Sequence, residues 1–241
     1  MTTQFYETGG QRIAYRHNAG AGPALVFLPG YMSDMQGGKA TALFDWCASQ
    51  GRECLLLDYS GCGQSDGDFA DGSLSKWRGE VMALIDAKVN ADSVIVIGSS
   101  MGGWLMLLVG MALGGRLQAL LGIAAAPDFS DWGYTEDHKR QLGEDETIFE
   151  KNNYGYDPTP THPVFWQDAQ ANRLLDSQIA ITAPVRLLHG QQDTDVPPET
   201  SLRLAQALAG DDVQITLVKG GDHRLSRDGD IALLLRMVDT L

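Results

Sequence analysis

Residues Asp92 to Gly103 read Asp-Ser-Val-Ile-Val-Ile-Gly-Ser-Ser-Met-Gly-Gly. The run from Val94 to Ile97 is short, apolar and β-branched, which is typical of a strand buried on both faces. The next residues fit the pattern Gly-x-Ser-x-Gly with Ser100 at its centre, and an apolar, helix-favouring segment begins at Trp104. A strand, a tight turn and a helix are the context that a nucleophile elbow requires. The sequence therefore predicts Ser100 as a nucleophile at a helix N-terminus, where partial positive charge favours a developing oxyanion.

Two other interpretations of this stretch are disfavoured. Residues 94–113 carry no charge and are long enough to cross a bilayer. Glycines and serines interrupt the segment, however, and its β-branched half is followed by a helix-favouring half, so a buried strand and a buried helix explain it better. A phosphate-cradling loop is excluded because the glycines are not followed by Lys and Ser or Thr.

Length and composition limit the class of protein. The chain has 241 residues, of which 44% are hydrophobic, and this suits a single domain over 1–241 with a large buried core. The net charge of −13 argues against a nucleic-acid partner, because phosphate binding needs clustered Lys and Arg. Three cysteines without metal-ligand spacing indicate free thiols in a reducing compartment. The first residues resemble neither a signal peptide nor an Arg-rich transit peptide, so we expect a cytoplasmic protein.

Strand and helix patterns alternate along most of the chain. Apolar runs predict buried strands at 24–28, 54–57, 94–97, 117–125, 185–188 and 213–217, with an edge strand at 11–16 that forms a hairpin with residues 5–6. Helical spacing predicts helices between them, including 199–209, and a last helix over 231–238. This alternation predicts an α/β fold whose mostly parallel sheet has helices on both faces. Sites in such sheets lie at the carboxyl ends of the strands.

The alternation fails over about 127–177. This segment is acidic, contains Pro158, Pro160 and Pro163, and is too long for a plain loop and too aromatic for disorder. We expect a lid of a few short helices inserted between core strands. Its aromatic residues can line a substrate pocket or pack inward: Trp132, Tyr134, Phe149, Tyr154, Tyr156, Phe165 and Trp166.

A serine nucleophile needs a base, and the base needs a third group to orient it. Of the five histidines, His17 lies on the predicted edge strand, and His138 and His162 lie in the predicted lid. His189 ends a core strand and is expected to satisfy local backbone groups. His223 lies in a Gly-rich loop after the last strand and can reach over the carboxyl edge of the sheet, so it is the predicted base.

The acid is expected in a loop after a core strand, between the serine and the histidine in the chain. Asp193 and Asp195 both satisfy this condition. Asp128 and Asp222 are expected to be solvated loop carboxylates.

The run from His189 to Pro197 fits His-Gly-x-x-Asp-x-x-Val-Pro, and with the elbow it resembles the α/β-hydrolase superfamily. The resemblance implies the α/β-hydrolase fold, with a mostly parallel central sheet flanked by helices and a helical lid insertion. It also implies Asp193 as the acid, with Asp195 as the alternative. The oxyanion hole implied is the backbone N–H groups of Met101 and Tyr31. The usual His-Gly before the second donor is replaced by Pro-Gly, which leaves both backbone donors available.

A closer resemblance covers nearly the whole chain and is least evident in the lid. Its matches include Asp222-His223-Arg224, and the more specific ones are Lys76-Trp77-Arg78 and Gly102 to Leu107. They resemble mitochondrial palmitoyl-protein thioesterases of the α/β-hydrolase-domain group, which are also described as acyl-glucuronide esterases. The resemblance implies a serine hydrolase that cleaves carboxylic esters or thioesters through an acyl-enzyme, with no metal or cofactor.

Several properties stay open at this stage. The substrate implied is a small-molecule ester, an acyl thioester or an acylated protein, and neither the acyl chain nor the oligomeric state is legible. The same triad could perform C–C bond hydrolysis or cofactor-free haloperoxidation, or be retained in a ligand-binding receptor.

Overall fold

The computed structural model describes residues 2–152, 155 and 157–241. Its main feature is an eight-stranded sheet in the order β1-β2-β4-β3-β5-β6-β9-β10. The strands are β1 (Gln4–Thr8), β2 (Gln11–Asn18), β3 (Ala21–Leu28), β4 (Arg52–Leu57), β5 (Val94–Ser99), β6 (Leu117–Ile123), β9 (Val185–Gly190) and β10 (Val213–Val218), with β7 (Ile148–Glu150) and β8 (Thr159–Thr161) in a separate pair. Strands β3 to β6, β9 and β10 run parallel to one another. Strand β2 pairs antiparallel with both of its neighbours, β1 and β4. The prediction of a mostly parallel sheet is confirmed.

Helices cover both faces of this sheet. They are α1 (Gly38–Gln50), α2 (Leu74–Lys88), α3 (Met101–Leu113), α4 (Phe129–Trp132), α5 (Glu136–Gly143), α6 (Pro163–Ala171), α7 (Glu199–Ala207) and α8 (Asp228–Asp239). Alternate residues of a strand point to opposite faces. In β5, Val94 and Val96 accordingly join the core under α2, α3 and α7, whereas Ile95 and Ile97 join the core under α1 and α8.

Two boundaries differ from the sequence-based expectation. The predicted edge strand, β2, lies second in the sheet because β1 covers it on one side and β4 pairs with it on the other. The strand predicted to reach residue 125 ends at Ile123, because Ala124 turns out of the sheet with a φ of 44°. That turn directs the chain towards the insertion.

The described residues of the insertion between β6 and β9 form three short helices, α4 to α6, together with the antiparallel pair β7 and β8. Asp128, at its start, was expected to be solvated, and that expectation is wrong. Its side chain is buried and accepts the backbone N–H groups of Leu174 and Leu175 at 2.8–3.1 Å. One carboxylate thus ties the beginning of the insertion to its end.

In the part of the chain that the structure describes, no helix combines the length and the apolar character needed to span a membrane.

Candidate active site

Ser100 lies at the sharp turn between β5 and α3. Its backbone has a φ of 57° and a ψ of −121°, a conformation that non-glycine residues rarely adopt. The turn is possible because Gly98 and Gly102, the residues two positions before and after Ser100, lack side chains. A Cβ on Gly98 would lie 2.2 Å from the carbonyl oxygen of Gly102, and a Cβ on Gly102 would lie 2.2 Å from the carbonyl oxygen of Leu28. The elbow predicted from Gly-x-Ser-x-Gly is therefore formed in the structure.

Hydrogen bonds hold the strained residue in place. The N–H of Ser100 donates to the carbonyl of Ile123 at 2.9 Å. Its carbonyl accepts the N–H groups of Gly103 at 2.8 Å and Ala126 at 3.0 Å. Because strand β6 and helix α3 both fix this backbone, the position of the Ser100 hydroxyl is set before any substrate binds.

The structure brings the predicted nucleophile, base and acid together. The Nε2 atom of His223 lies 3.0 Å from the Oγ of Ser100, and its Nδ1 atom lies 2.8 Å from Oδ2 of Asp193. The three residues follow β10, β5 and β9, whose carboxyl ends share one edge of the sheet. This is the geometry in which a base can take a proton from a hydroxyl while a carboxylate orients it.

The Asp193 carboxylate is buried and fully hydrogen-bonded. Its Oδ1 atom accepts the backbone N–H groups of Asp195 at 2.9 Å and Val196 at 2.8 Å. Burial alone would raise the pKa of Asp193, but the contacts with His189 and His223 outweigh it and lower the pKa well below the usual value. The carboxylate therefore stays ionised at neutral pH. Asp195, the alternative acid, supplies its backbone N–H to Asp193, and its side chain lines the nearby cavity.

The two predicted oxyanion donors lie beside Ser100. Met101 is the first residue of α3, and Tyr31 lies in the loop after β3. That loop passes close to the nucleophile, because a Cβ on Gly30 would lie 3.4 Å from the Cβ of Ser100. Tyr31 and Met101 also line the same cavity as Ser100 and His223.

The cavity has a volume of about 360 Å³ and is lined by both aromatic and polar residues. The aromatic residues are Tyr31, Phe129, Trp132 and Tyr134. The polar residues of the lid and of the loop after β9 are Glu150, Lys151, Asn152, Thr159, Thr161, Thr194 and Asp195. Burial raises the pKa of Glu150. The lid therefore supplies both apolar surface and charged groups to a bound molecule.

The lid aromatics divide between the two expected roles. Trp132 and Tyr134 line the cavity, whereas Phe165 is buried, with its ring centroid 4.8 Å from that of Tyr31. Phe149 is 67% exposed. Trp166 packs beside Tyr134, Leu142 and Ile148. Tyr154 and Tyr156 lie outside the described residues.

Sequence reasoning missed the contacts of His189. It was expected to satisfy local backbone groups, and its Nε2 atom does lie 3.0 Å from the carbonyl of Val196. The same atom also lies 3.1 Å from Oδ2 of Asp193, and Nδ1 lies 2.7 Å from the hydroxyl of Ser201. The four-residue spacing from His189 to Asp193 was the available signal.

Comparisons with known proteins agree with this architecture. Residues 25–232 match the alpha/beta hydrolase family. The chain is 39% identical over 235 residues to the mitochondrial palmitoyl-protein thioesterase ABHD10 of Mus musculus, covering 95% of this chain and 78% of the relative. It is 36% identical over 233 residues to the Homo sapiens protein of the same name.

Two solved structures share the fold along nearly their whole length. Alpha/beta hydrolase domain-containing protein 10 from mouse superposes with a TM-score of 0.91 at 35% identity, covering 100% of this chain and 98% of that one. A putative hydrolase from Agrobacterium vitis S4 also gives 0.91, at 34% identity, covering 99% and 97%.

These comparisons contradict the prediction of a cytoplasmic location. The matched mouse, rat, orangutan, human and bovine relatives are all named mitochondrial. The prediction rested on the three cysteines, interpreted as free thiols of a reducing compartment, and on the composition of the first residues.

The fold class and the resemblance predicted from the elbow and the His-Gly-x-x-Asp run are confirmed. Matched both in sequence and in structure over most of its length, this chain belongs to the alpha/beta hydrolase family.

Proposed function

We propose that this protein hydrolyses carboxylic esters or thioesters through an acyl-enzyme formed on Ser100. One observation carries the proposal: the imidazole of His223 lies within hydrogen-bond distance of both the Ser100 hydroxyl and the Asp193 carboxylate, inside a cavity. Nucleophile, base and orienting acid at these distances are the requirement for activating a serine.

The reaction follows from the positions of these groups. The Oγ of Ser100 attacks the acyl carbon while Nε2 of His223 takes its proton. Negative charge develops on the carbonyl oxygen, which accepts hydrogen bonds from the backbone N–H groups of Tyr31 and Met101. Each of these hydrogen bonds is worth about 3 kcal/mol of transition-state stabilisation. The tetrahedral intermediate collapses, and His223 returns the proton to the departing thiolate or alkoxide. A water then gives a proton to His223 and attacks the acyl carbon; the bond between that carbon and Oγ of Ser100 breaks, His223 returns the proton to Oγ, and the acid leaves.

The substrate class proposed first is an acyl thioester, including an acylated protein. The named activity of the relatives supports it, since they are palmitoyl-protein thioesterases. The aromatic residues that line the cavity offer apolar surface to an acyl group. A thiolate is also an easier leaving group than an alkoxide, so it needs less assistance from His223.

An ester of the acyl-glucuronide type is the second candidate, and a specific observation favours it. Lys151 lines the cavity together with the hydroxyl-bearing Thr159 and Thr161. An ammonium group near hydroxyl groups suits a sugar acid. The lid also contains Arg140 and Arg173, and both pair with acidic side chains of the lid.

A panel of acyl thioesters and esters of increasing chain length, together with an acyl glucuronide, tests the proposal. We expect Ser100→Ala to lower kcat on the best substrate by about 10⁴- to 10⁶-fold without unfolding the protein, because only a hydroxyl is lost. Ser99→Ala, one residue earlier, is the matched control and should stay within a few fold of wild type. Near-wild-type turnover by Ser100→Ala would refute the assignment.

The same panel separates the rival functions. No turnover of any acyl substrate by the wild-type protein would favour C–C bond hydrolysis or haloperoxidation on the same triad. Stoichiometric reaction with a fluorophosphonate, combined with tight ligand binding and no repeated turnover, would favour a receptor.

A further inference from the structure

His189 is completely buried at the carboxyl end of β9. Its Nε2 atom lies 3.1 Å from Oδ2 of Asp193 and 3.0 Å from the carbonyl oxygen of Val196. The hydroxyl of Ser201, in α7, lies 2.7 Å from Nδ1. Each ring nitrogen of this histidine therefore has a polar partner.

These partners determine where the ring carries a proton. A carboxylate oxygen and a backbone carbonyl are both acceptors only, so the Nε2 atom that faces them must be an N–H donor. The Nε2–H of His189 is therefore shared between the carbonyl oxygen of Val196 and Oδ2 of Asp193, and the same Oδ2 atom receives the Nδ1–H of His223 at 2.8 Å. Two backbone N–H groups bind the other carboxylate oxygen, Oδ1.

We propose that His189 is a positioning residue that acts on the base through Asp193. The proposal rests on the function proposed above. The donor from His189 fixes the rotation of the carboxylate, so that Oδ2 points at Nδ1 of His223. It also takes up part of the negative charge on Oδ2, and this weakens the stabilisation of a protonated His223.

Removing this donor has two separable effects. The carboxylate gains freedom to rotate, which lowers kcat. The negative charge on Oδ2 then interacts more strongly with His223. This makes protonated His223 more stable and moves the acid limb of the kcat/KM profile to higher pH. A merely structural histidine would lower stability and leave that limb in place.

Other ionisable groups near the pair stay constant in this comparison. Asp195 belongs to the acid loop, Glu150 and Lys151 face the cavity from the lid, and Asp222 and Arg224 flank His223 in the chain. None of them is altered by a substitution at residue 189.

The test compares pH profiles of kcat/KM for His189→Leu, which removes the donor, and His189→Gln, whose amide can replace it. We expect His189→Leu to lower kcat about 10- to 100-fold, the range seen when a partner of a site residue is lost, and to shift the acid limb upward. His189→Gln should recover part of both effects. Acid limbs at the wild-type pH in both variants would overturn the proposal.

His17→Leu is the matched control. It removes a histidine that contacts a buried carboxylate, Glu53, at 2.8 Å, on strand β2 outside the site. We expect it to change stability and to leave the pH profile unchanged. A shift of the acid limb as large as that of His189→Leu would overturn the proposal, because the effect would then not depend on Asp193.

A measurement on the wild-type protein covers the case in which neither His189 variant folds. With ¹⁵N-labelled histidine, the Nε2 proton of His189 should be visible by NMR and should shift as His223 titrates. An Nε2 without a proton, or one that does not respond, overturns the proposal. If the wild-type protein turns over no acyl substrate, the proposed function fails, whereas activity with an unresponsive His189 rejects only this inference.

Discussion

At the scale of single residues, the Asp193 carboxylate has the most demanding environment in the site. It is buried, and a buried charge is tolerated only when donors surround it. Two backbone N–H groups and the Nδ1–H of His223 meet that need, and the Nε2–H of His189, shared with the carbonyl of Val196, adds to them. The carboxylate therefore contributes to stability as well as to the orientation of His223.

The first prediction concerns the pH dependence of stability. The pKa of Asp193 is lowered in the folded protein, whereas an unfolded aspartate titrates near about 3.9. As the pH falls, the unfolded chain binds the proton first. The stabilisation is thus complete above about pH 5 and is lost progressively towards the lower folded pKa.

Asp193→Asn removes this titration and places an amide opposite N–H donors. We expect the variant to be less stable than wild type at pH 7 and the difference in free energy of unfolding to narrow between about pH 5 and pH 2. Urea unfolding at a series of pH values measures both curves. A constant difference over that interval would contradict the assigned environment of Asp193.

Residue roles were predictable where they depend on neighbours in the chain. Ser100 follows from about ten consecutive residues, and the superfamily pattern pointed to Asp193. The partners of Asp128 were not predictable from local sequence, because the N–H groups that it accepts belong to Leu174 and Leu175, in a separate segment. For His189 the spacing to Asp193 was a local signal, whereas the contact with Ser201 depends on how α7 packs against β9.

At the scale of elements, the turn from β5 to α3 depends on close backbone approach. The first turn of α3 lies against the end of β3, so that Gly102 nearly touches the carbonyl oxygens of Leu28 and Pro29. The same contact places Tyr31, two residues after Pro29, beside Ser100. The packing of β3 against α3 and the position of the proposed oxyanion donors therefore depend on the same contact.

Gly102→Ala tests this coupling. The added Cβ would lie 2.2 Å from the carbonyl oxygen of Leu28, so strand β3 or helix α3 must move. We expect a loss of at least about 2 kcal/mol in the free energy of unfolding and a fall in kcat.

Gly79→Ala is the control, since Gly79 lies inside α2 and a Cβ there meets nothing within 4 Å. We expect it to gain about 0.5–1 kcal/mol, because alanine favours a helix over glycine. Equal stabilities for the two variants, measured by denaturant unfolding, would show that the elbow tolerates a side chain.

The elements themselves were predicted unevenly. Sheet strands and flanking helices follow from apolar periodicity, which reports burial directly. The lid was predicted as short helices, but the β7–β8 pair was not, since Pro160 and the three-residue strands give no alternating pattern. Which lid aromatics face the cavity depends on how α4 and α6 pack, and periodicity does not specify that.

At the scale of the whole molecule, a lid of about 50 residues lies between two core strands, and its two ends meet at a neck formed by Asp128, Leu174 and Leu175. Asp128 accepts hydrogen bonds there from the N–H groups of Leu174 and Leu175. The lid supplies most of the polar residues that line the cavity. The stability of the neck should thus affect substrate binding more than the chemistry on Ser100.

Asp128→Ala leaves the two N–H groups without their acceptor. We expect a loss of roughly 2–3 kcal/mol in stability, faster proteolysis within the lid, and a higher KM with a smaller change in kcat. Asp131→Ala is the matched control, because Asp131 pairs with Lys139 and Arg173 at the surface. Such exposed pairs are worth about 0–1 kcal/mol. Similar proteolysis patterns for the two variants would contradict the role of the neck.

Labelling with a fluorophosphonate, followed by mass spectrometry of the intact protein and of its peptides, tests the central claim most directly. The activated hydroxyl predicts one adduct per chain, located on Ser100, and none on the Ser100→Ala variant. An unlabelled wild-type protein, or an equal adduct on the variant, would contradict the account.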